Sequence, residues 1–97
     1  MIPGKKITLG GKVFEIPPAP FAAMRRHADL FNGKTTADTD MMGDLIYSAV
    51  KRNYPDLSQE EFEEKHLDLG NMTAAFNIVM NLSGAEATKG EAQPGNP

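Results

Sequence analysis

Hydrophobic positions along this chain follow two different periods, and the change from one to the other marks where extended backbone gives way to helix. In Lys6-Ile7-Thr8-Leu9-Gly10-Gly11-Lys12-Val13-Phe14-Glu15-Ile16, two short β-prone runs flank a pair of glycines. A tight primed turn needs positive φ at both central residues, which glycine reaches without a Cβ penalty, so residues 6–16 predict a hairpin. An isolated hairpin is marginal in water, and its apolar face is expected to lie on the elements that follow. Pro17, Pro18 and Pro20 then end the strand, because proline fixes φ and carries no N–H.

From residue 20 the spacing becomes helical. Phe21, Met24, Ala28 and Phe31 fall on one face and predict a first helix over residues 20–32, closed by Asn32-Gly33. After a polar loop, Met42, Leu45, Ile46, Ala49 and Val50 form the clearest stripe and predict a second helix over 40–53, which must stop before Pro55. Ser58 and Glu61 have the spacing of a capping box, with Leu57 and Phe62 at the two positions of a hydrophobic staple, so a third helix should run from 58 to about 67. Leu69-Gly70-Asn71 interrupts it, Asn71 is a suitable N-cap, and Met72, Phe76, Val79 and Met80 line a fourth helix over 71–83 that Gly84 closes. Residues 85–97 hold no large apolar side chain and predict a disordered tail, since nothing there offsets the entropy of ordering. The expected architecture is α+β and predominantly helical: one globular domain over residues 1–84, with an N-terminal β-hairpin followed by about four helices.

Composition narrows what such a domain does. At 97 residues, 40% hydrophobic and 24% charged, the chain has room for one shallow core, which disfavours a deep-pocket enzyme. It contains no cysteine and two histidines, leaving no thiolate nucleophile and poor prospects for a zinc site. No apolar run approaches the roughly 18 residues of a spanning helix, and Met1-Ile2-Pro3-Gly4-Lys5-Lys6 lacks the apolar stretch of a secretory signal, so the expected location is cytoplasmic with no membrane partner. The net charge of −3 hides an uneven distribution. Residues 1–34 carry six bases against two acids, whereas residues 56–70 carry six acids against one base. Opposed surfaces of this kind set register and encounter rate between copies or partners.

Catalytic patterns are not found. No serine sits in a glycine-flanked elbow, Gly10-Gly11-Lys12 is a turn and not a phosphate loop, and Asp38, Asp40 and Asp44 lack the spacing of a calcium loop. Glu60, Glu61, Glu63 and Glu64 read as a solvated acidic face, because consecutive helical positions diverge and only pairs such as Glu60 and Glu64 face together. The sequence therefore predicts no enzyme, no cofactor and no metal. Arg25-Arg26-His27 and Lys51-Arg52-Asn53-Tyr54 are basic clusters and raise nucleic-acid binding as the alternative, a small prophage-encoded regulator, against which stands a pI near 5.3.

The order and spacing of several segments resemble the small tail assembly chaperones of long-tailed bacteriophages and prophages. The resemblance spans nearly the whole predicted domain: the hairpin Lys6-Ile7-Thr8-Leu9-Gly10-Gly11-Lys12-Val13-Phe14-Glu15-Ile16-Pro17-Pro18, then Met24-Arg25-Arg26, then Val50-Lys51-Arg52-Asn53-Tyr54-Pro55-Asp56-Leu57-Ser58-Gln59-Glu60-Glu61, then Leu67-Asp68-Leu69-Gly70-Asn71, then an apolar helix closing at Ser83-Gly84. It implies a mostly helical protein of the host bacterial cytoplasm that binds the tape measure protein and keeps it soluble until tail tube subunits polymerise around it. It further implies absence from the mature virion, the tail tube protein as a second candidate partner, and self-association as a candidate property; the family carries no catalytic residues to transfer. Methionine is abundant and supplies the adaptable surface of promiscuous binders, with Met24, Met42, Met72 and Met80 on core-facing stripes and Met41 beside one. The candidate partner-binding residues are Arg25, Arg26, Met41, Tyr54, Glu60 and Glu64.

Overall fold

The computed structural model describes residues 1–83. Two antiparallel strands, β1 (Lys5–Leu9) and β2 (Lys12–Ile16), are followed by five helices: α1 (Phe21–Arg26), α2 (Ala28–Phe31), α3 (Thr39–Asn53), α4 (Gln59–Lys65) and α5 (Met72–Leu82). The α+β, predominantly helical class with an N-terminal hairpin is the one the sequence predicts. Its expected disordered tail lies outside the described residues.

The hairpin pairs Lys5 with Ile16 through Leu9 with Lys12, so the two-residue turn is Gly10-Gly11, both at positive φ. Only one of these glycines is constrained twice. A Cβ on Gly10 would overlap the carbonyl oxygen of Lys65 at the end of α4, whereas one on Gly11 would meet open space. The register places Leu9, Phe14 and Ile16 on one face, where all three are fully buried, and leaves Val13 on the other, 58% exposed. A half-buried sheet demands this alternation.

α3 is the central element, packing on α5, β2, α1 and α4. The Asp38 carboxylate accepts from the Met41 N–H at 2.8 Å and caps its start. Leu45, Ile46, Ala49 and Val50 are fully buried, as the stripe predicts. Tyr47 joins them, its hydroxyl donating to the Leu57 carbonyl at 2.6 Å, so a buried phenol keeps its hydrogen bond. The helix ends at Asn53, before Pro55.

The signals at the start of α4 hold in part. Ser58 Oγ accepts from the Glu61 N–H at 3.0 Å and Phe62 is fully buried with Leu57 against the core, yet no hydrogen bond returns from Glu61 to complete the box. At α5 the cap is different from the one expected. Asn71 makes no N-cap bond; the Asp68 carboxylate instead accepts from the N–H groups of Gly70 and Asn71, and the Asn71 side chain reaches back to the His66 carbonyl and the Asp68 N–H. The Asp68 carbonyl also accepts from the Met72 N–H at 3.0 Å, so a turn begun at Asp68 leads into α5 and leaves Asn71 inside that turn rather than at its start. The core-facing side of α5 is also rotated from the sequence stripe: Ala75 and Val79 are buried, while Met72, Phe76 and Met80 lie at its margin.

The largest departure is the first helix. The continuous helix expected over residues 20–32 is broken at His27, whose φ of −120° and ψ of 40° separate α1 from α2. Ala23 is buried and Phe21, expected in the core, is 71% exposed.

Four substitutions check these contacts by denaturant unfolding. Phe62→Ala is expected to cost about 3–5 kcal/mol and Ser58→Ala about 0.5–2 kcal/mol. Gly10→Ala is expected to cost about 2 kcal/mol or more and Gly11→Ala less, because only the former adds a collision to the left-handed strain. Equal costs at the two glycines would show that the turn does not press on α4.

Candidate partner-binding surfaces

The six candidate residues divide into those the fold uses internally and those it leaves in solvent. Arg26 belongs to the first group. From the last turn of α1 its guanidinium donates to Asp44 Oδ2 at 3.1 and 3.3 Å and to Ser48 Oγ at 2.8 Å, both on α3. His27 Nε2 lies 2.7 Å from the same carboxylate oxygen. Consecutive positions of a straight helix diverge by about 100° and cannot both address one acceptor. The break at His27 brings both onto it, which explains why α1 and α2 are separate.

Asp44 is shaped by this attention. Its partial burial disfavours the charged form, but hydrogen bonds from His27 and Arg26 and the positive charge of these neighbours outweigh that and hold its pKa below the usual carboxylate value. Arg26 and Asp44 line a surface depression of about 290 Å³ together with Pro20, Tyr47, Ser48, Lys51 and Gln59.

Tyr54 is also used internally. Its hydroxyl accepts from the Glu15 N–H at 2.9 Å, its ring stands edge-on to Phe14 with centroids 5.0 Å apart, and Lys12 Nζ lies 5.2 Å from its centroid. Its neighbours share the task. The Asn53 amide donates to the carbonyls of Ile2 and Glu15 and accepts from the Ile2 N–H, and Arg52 donates to the Pro18 carbonyl at 2.7 Å. The two basic clusters that raise the nucleic-acid alternative are therefore largely committed to internal contacts: of their seven residues, Arg26, His27, Arg52, Asn53 and Tyr54 all bond within the fold.

Arg25, Glu60 and Glu64 remain outside. Arg25 is exposed and its guanidinium lies over the Phe21 ring, 6.0 Å from the centroid, one helical turn earlier. Glu60 and Glu64 are exposed one turn apart on α4, and among the described residues neither forms an ion pair. The adjacent Glu63 accepts from Gln59 at 3.0 Å and borders a second depression of about 430 Å³, with Thr39, Asp40, Gly43, Leu67 and Met72. Met41 is half-buried in the first turn of α3. No hydrogen bond or ion pair among the described residues joins any two of the six candidates.

Two exposed apolar side chains escape the sequence reading. Phe21 falls on the predicted core stripe of a helix that the structure interrupts, and Leu69, 85% exposed, falls in a loop where periodicity is silent. The recoverable signal was at Phe21: an arginine four residues on, at the spacing that lays a guanidinium over an aromatic ring. Among the described residues, no three His, Cys, Asp or Glu side chains group as a metal site and no helix is long and apolar enough to cross a membrane. Compared with known protein families, curated proteins and solved structures, the chain matches none.

The lowered pKa of Asp44 sets a pH dependence. The unfolded chain binds the proton more readily, so the stability contributed by the charged carboxylate is complete above its unfolded value of about 3.9 and falls away as pH drops through the lower folded value. Asp44→Asn removes that contribution. The stability gap between wild type and variant is expected to be constant between about pH 5 and 6 and to narrow below about pH 4, measured by urea titration at each pH. A gap that widens on acidification would contradict the assignment.

Proposed function

We propose that this chain is a tail assembly chaperone of a long-tailed phage or prophage, a non-enzymatic binder that holds the tape measure protein soluble in the host cytoplasm during tail assembly and leaves before the virion is complete. The sequence resemblance supplies the family. The observation that carries the binding role is the Phe21 and Arg25 pair on α1: an exposed aromatic ring with a guanidinium over it joins two side-chain types that are enriched in protein interfaces. The segments that support the resemblance fall at joints of the fold, namely the hairpin, the end of α1, the α3 to α4 connection, the loop before α5 and the end of α5.

Self-association belongs to the same proposal. The basic hairpin and α1 and the acidic α4 present opposite charge, and successive copies along a long client would meet through them. Arg25 is the residue to reverse, since Arg26 is tied to Asp44 and its substitution would confound interface with scaffold.

Co-expression with an apolar, helix-forming fragment of a tape measure protein tests the role. The fragment is expected in the soluble fraction with the wild-type chain and largely in the pellet with Phe21→Ala or Arg25→Glu, while each variant melts within about 3 °C of wild type, as expected for exposed positions. A fragment that precipitates equally with and without the chaperone defeats the assignment. Self-association by sedimentation should weaken from about 0.1 to about 1 M salt as the Debye length falls from about 10 to about 3 Å, and Arg25→Glu should flatten that dependence.

A further inference from the structure

The hairpin has two outer edges, and the described residues close only part of one. Because the Gly10-Gly11 turn is two residues long, Leu9 and Lys12 close it as a mutually hydrogen-bonded pair, and the ladder alternates from there. Lys5 and Ile7 therefore turn their N–H and C=O groups toward β2, while Lys6 and Thr8 turn theirs outward. The same count turns Val13 and Glu15 outward on β2. There the Glu15 N–H donates to the Tyr54 hydroxyl and its carbonyl accepts from the Asn53 amide, both at 2.9 Å. On β1, no hydrogen bond among the described residues reaches the backbone of Lys6 or Thr8, and both residues are exposed.

We propose that the outer edge of β1 accepts an extended, acidic segment of another protein as a third, antiparallel strand. Main-chain bonding at a free edge supplies affinity, and side chains flanking it select the partner. Here the selection is electrostatic. Lys5 and Lys6 are exposed, one on each face of the sheet, and form no ion pair among the described residues. A second copy is disfavoured: the antiparallel register that matches outward groups sets Ile7 against Ile7 and Thr8 against Lys6 of the other copy, gathering four lysines at the junction. Edge lysines are a known device against such pairing. The chain's own acidic stretch is helical in α4 and cannot add as a strand. Ile7, half-buried beside the core, favours an apolar residue opposite it. An antiparallel strand read against Thr8, Ile7, Lys6 and Lys5 is thus polar, apolar, acidic, acidic. This surface takes its ligand extended and is separate from the Phe21 and Arg25 pair proposed for the tape measure client.

The probe is the peptide acetyl-Ser-Thr-Val-Glu-Glu-Ser-amide, with lysines replacing both glutamates in the control, titrated into the full-length ¹⁵N-labelled chain. The Lys6 and Thr8 amides are expected to shift and to exchange with solvent at least about fivefold more slowly at saturation. The glutamate peptide is expected to bind at least about tenfold more tightly than the control, and the Lys5→Glu, Lys6→Glu double variant should invert that order. Thr8→Pro deletes an outward N–H without removing a ladder bond and should weaken binding about tenfold. Should that variant fail to fold, the charge-reversed pair decides by itself. Amides unmoved by either peptide, or equal binding of the two, would overturn the proposal. So would edge protection that grows with protein concentration in the absence of peptide, which would assign the edge to a second copy. None of these outcomes bears on whether a co-expressed client stays soluble, so the two proposals fail separately.

Discussion

A two-stranded hairpin cannot hold itself together in water, so the architecture rests on what Phe14 finds beneath it. Its fully buried ring stands edge-on to Tyr54 at the end of α3, to Phe62 in α4 and to His66 just beyond, with centroids 5.0, 5.8 and 5.1 Å away. Aromatic rings favour this geometry because the positive edge of one meets the negative face of another, a gain of roughly 0.5–1.5 kcal/mol per pair beyond burial. One side chain of β2 thereby holds the ends of α3 and α4, both remote from it in sequence. The turn at the far end of the same hairpin presses Gly10 against the end of α4, and His66 Nδ1 lies 3.2 Å from the Leu9 carbonyl, so the contact is continuous along the strand pair.

The polar counterpart is the last turn of α3. Arg52, Asn53 and Tyr54 in succession take the Pro18 carbonyl, the backbone of Ile2 and both outward groups of Glu15. In sequence this run looks like a surface of basic and aromatic character. In space it is a fastener, because the end of the longest helix abuts an extended segment whose backbone groups would otherwise lack partners. Asn53 and Tyr54, half-buried and so engaged, have little left for a ligand, and among the described residues the available surface shifts to α1, α4 and the outer edge of β1.

The break at His27 shows the same economy. A single carboxylate, Asp44, draws two adjacent cationic or polar side chains from α1, and the helix yields where it must for both to arrive. Phe21 then faces solvent with Arg25 across it. Local propensity alone contains no term for a partner seventeen residues away, and here a tertiary bond overrides an otherwise unbroken helical pattern.

The sequence by itself determined the elements whose causes are local. Glycines that permit the turn, Pro55 that ends α3, the Ser58 cap and the Leu45, Ile46, Ala49 and Val50 stripe each act within a few residues, and each is where it was read. So too for Arg25, Glu60 and Glu64, exposed as charged helical positions usually are. Tertiary structure alone decided the rest: that Arg26 and Tyr54 belong to the scaffold, that Asp68 rather than Asn71 starts the turn into α5, that Phe21 lies outside, and that the outward groups of β1 find no partner among the described residues while those of Glu15 in β2 do. In most of these cases the deciding partner is distant along the chain, as Tyr54 is for Glu15; for Asp68 and Asn71 it is near, because a turn begun at Asp68 runs into α5 and carries Asn71 past the cap position. Which side chain wins depends on the three-dimensional meeting of backbone groups that must be satisfied, and spacing along a chain does not encode that meeting.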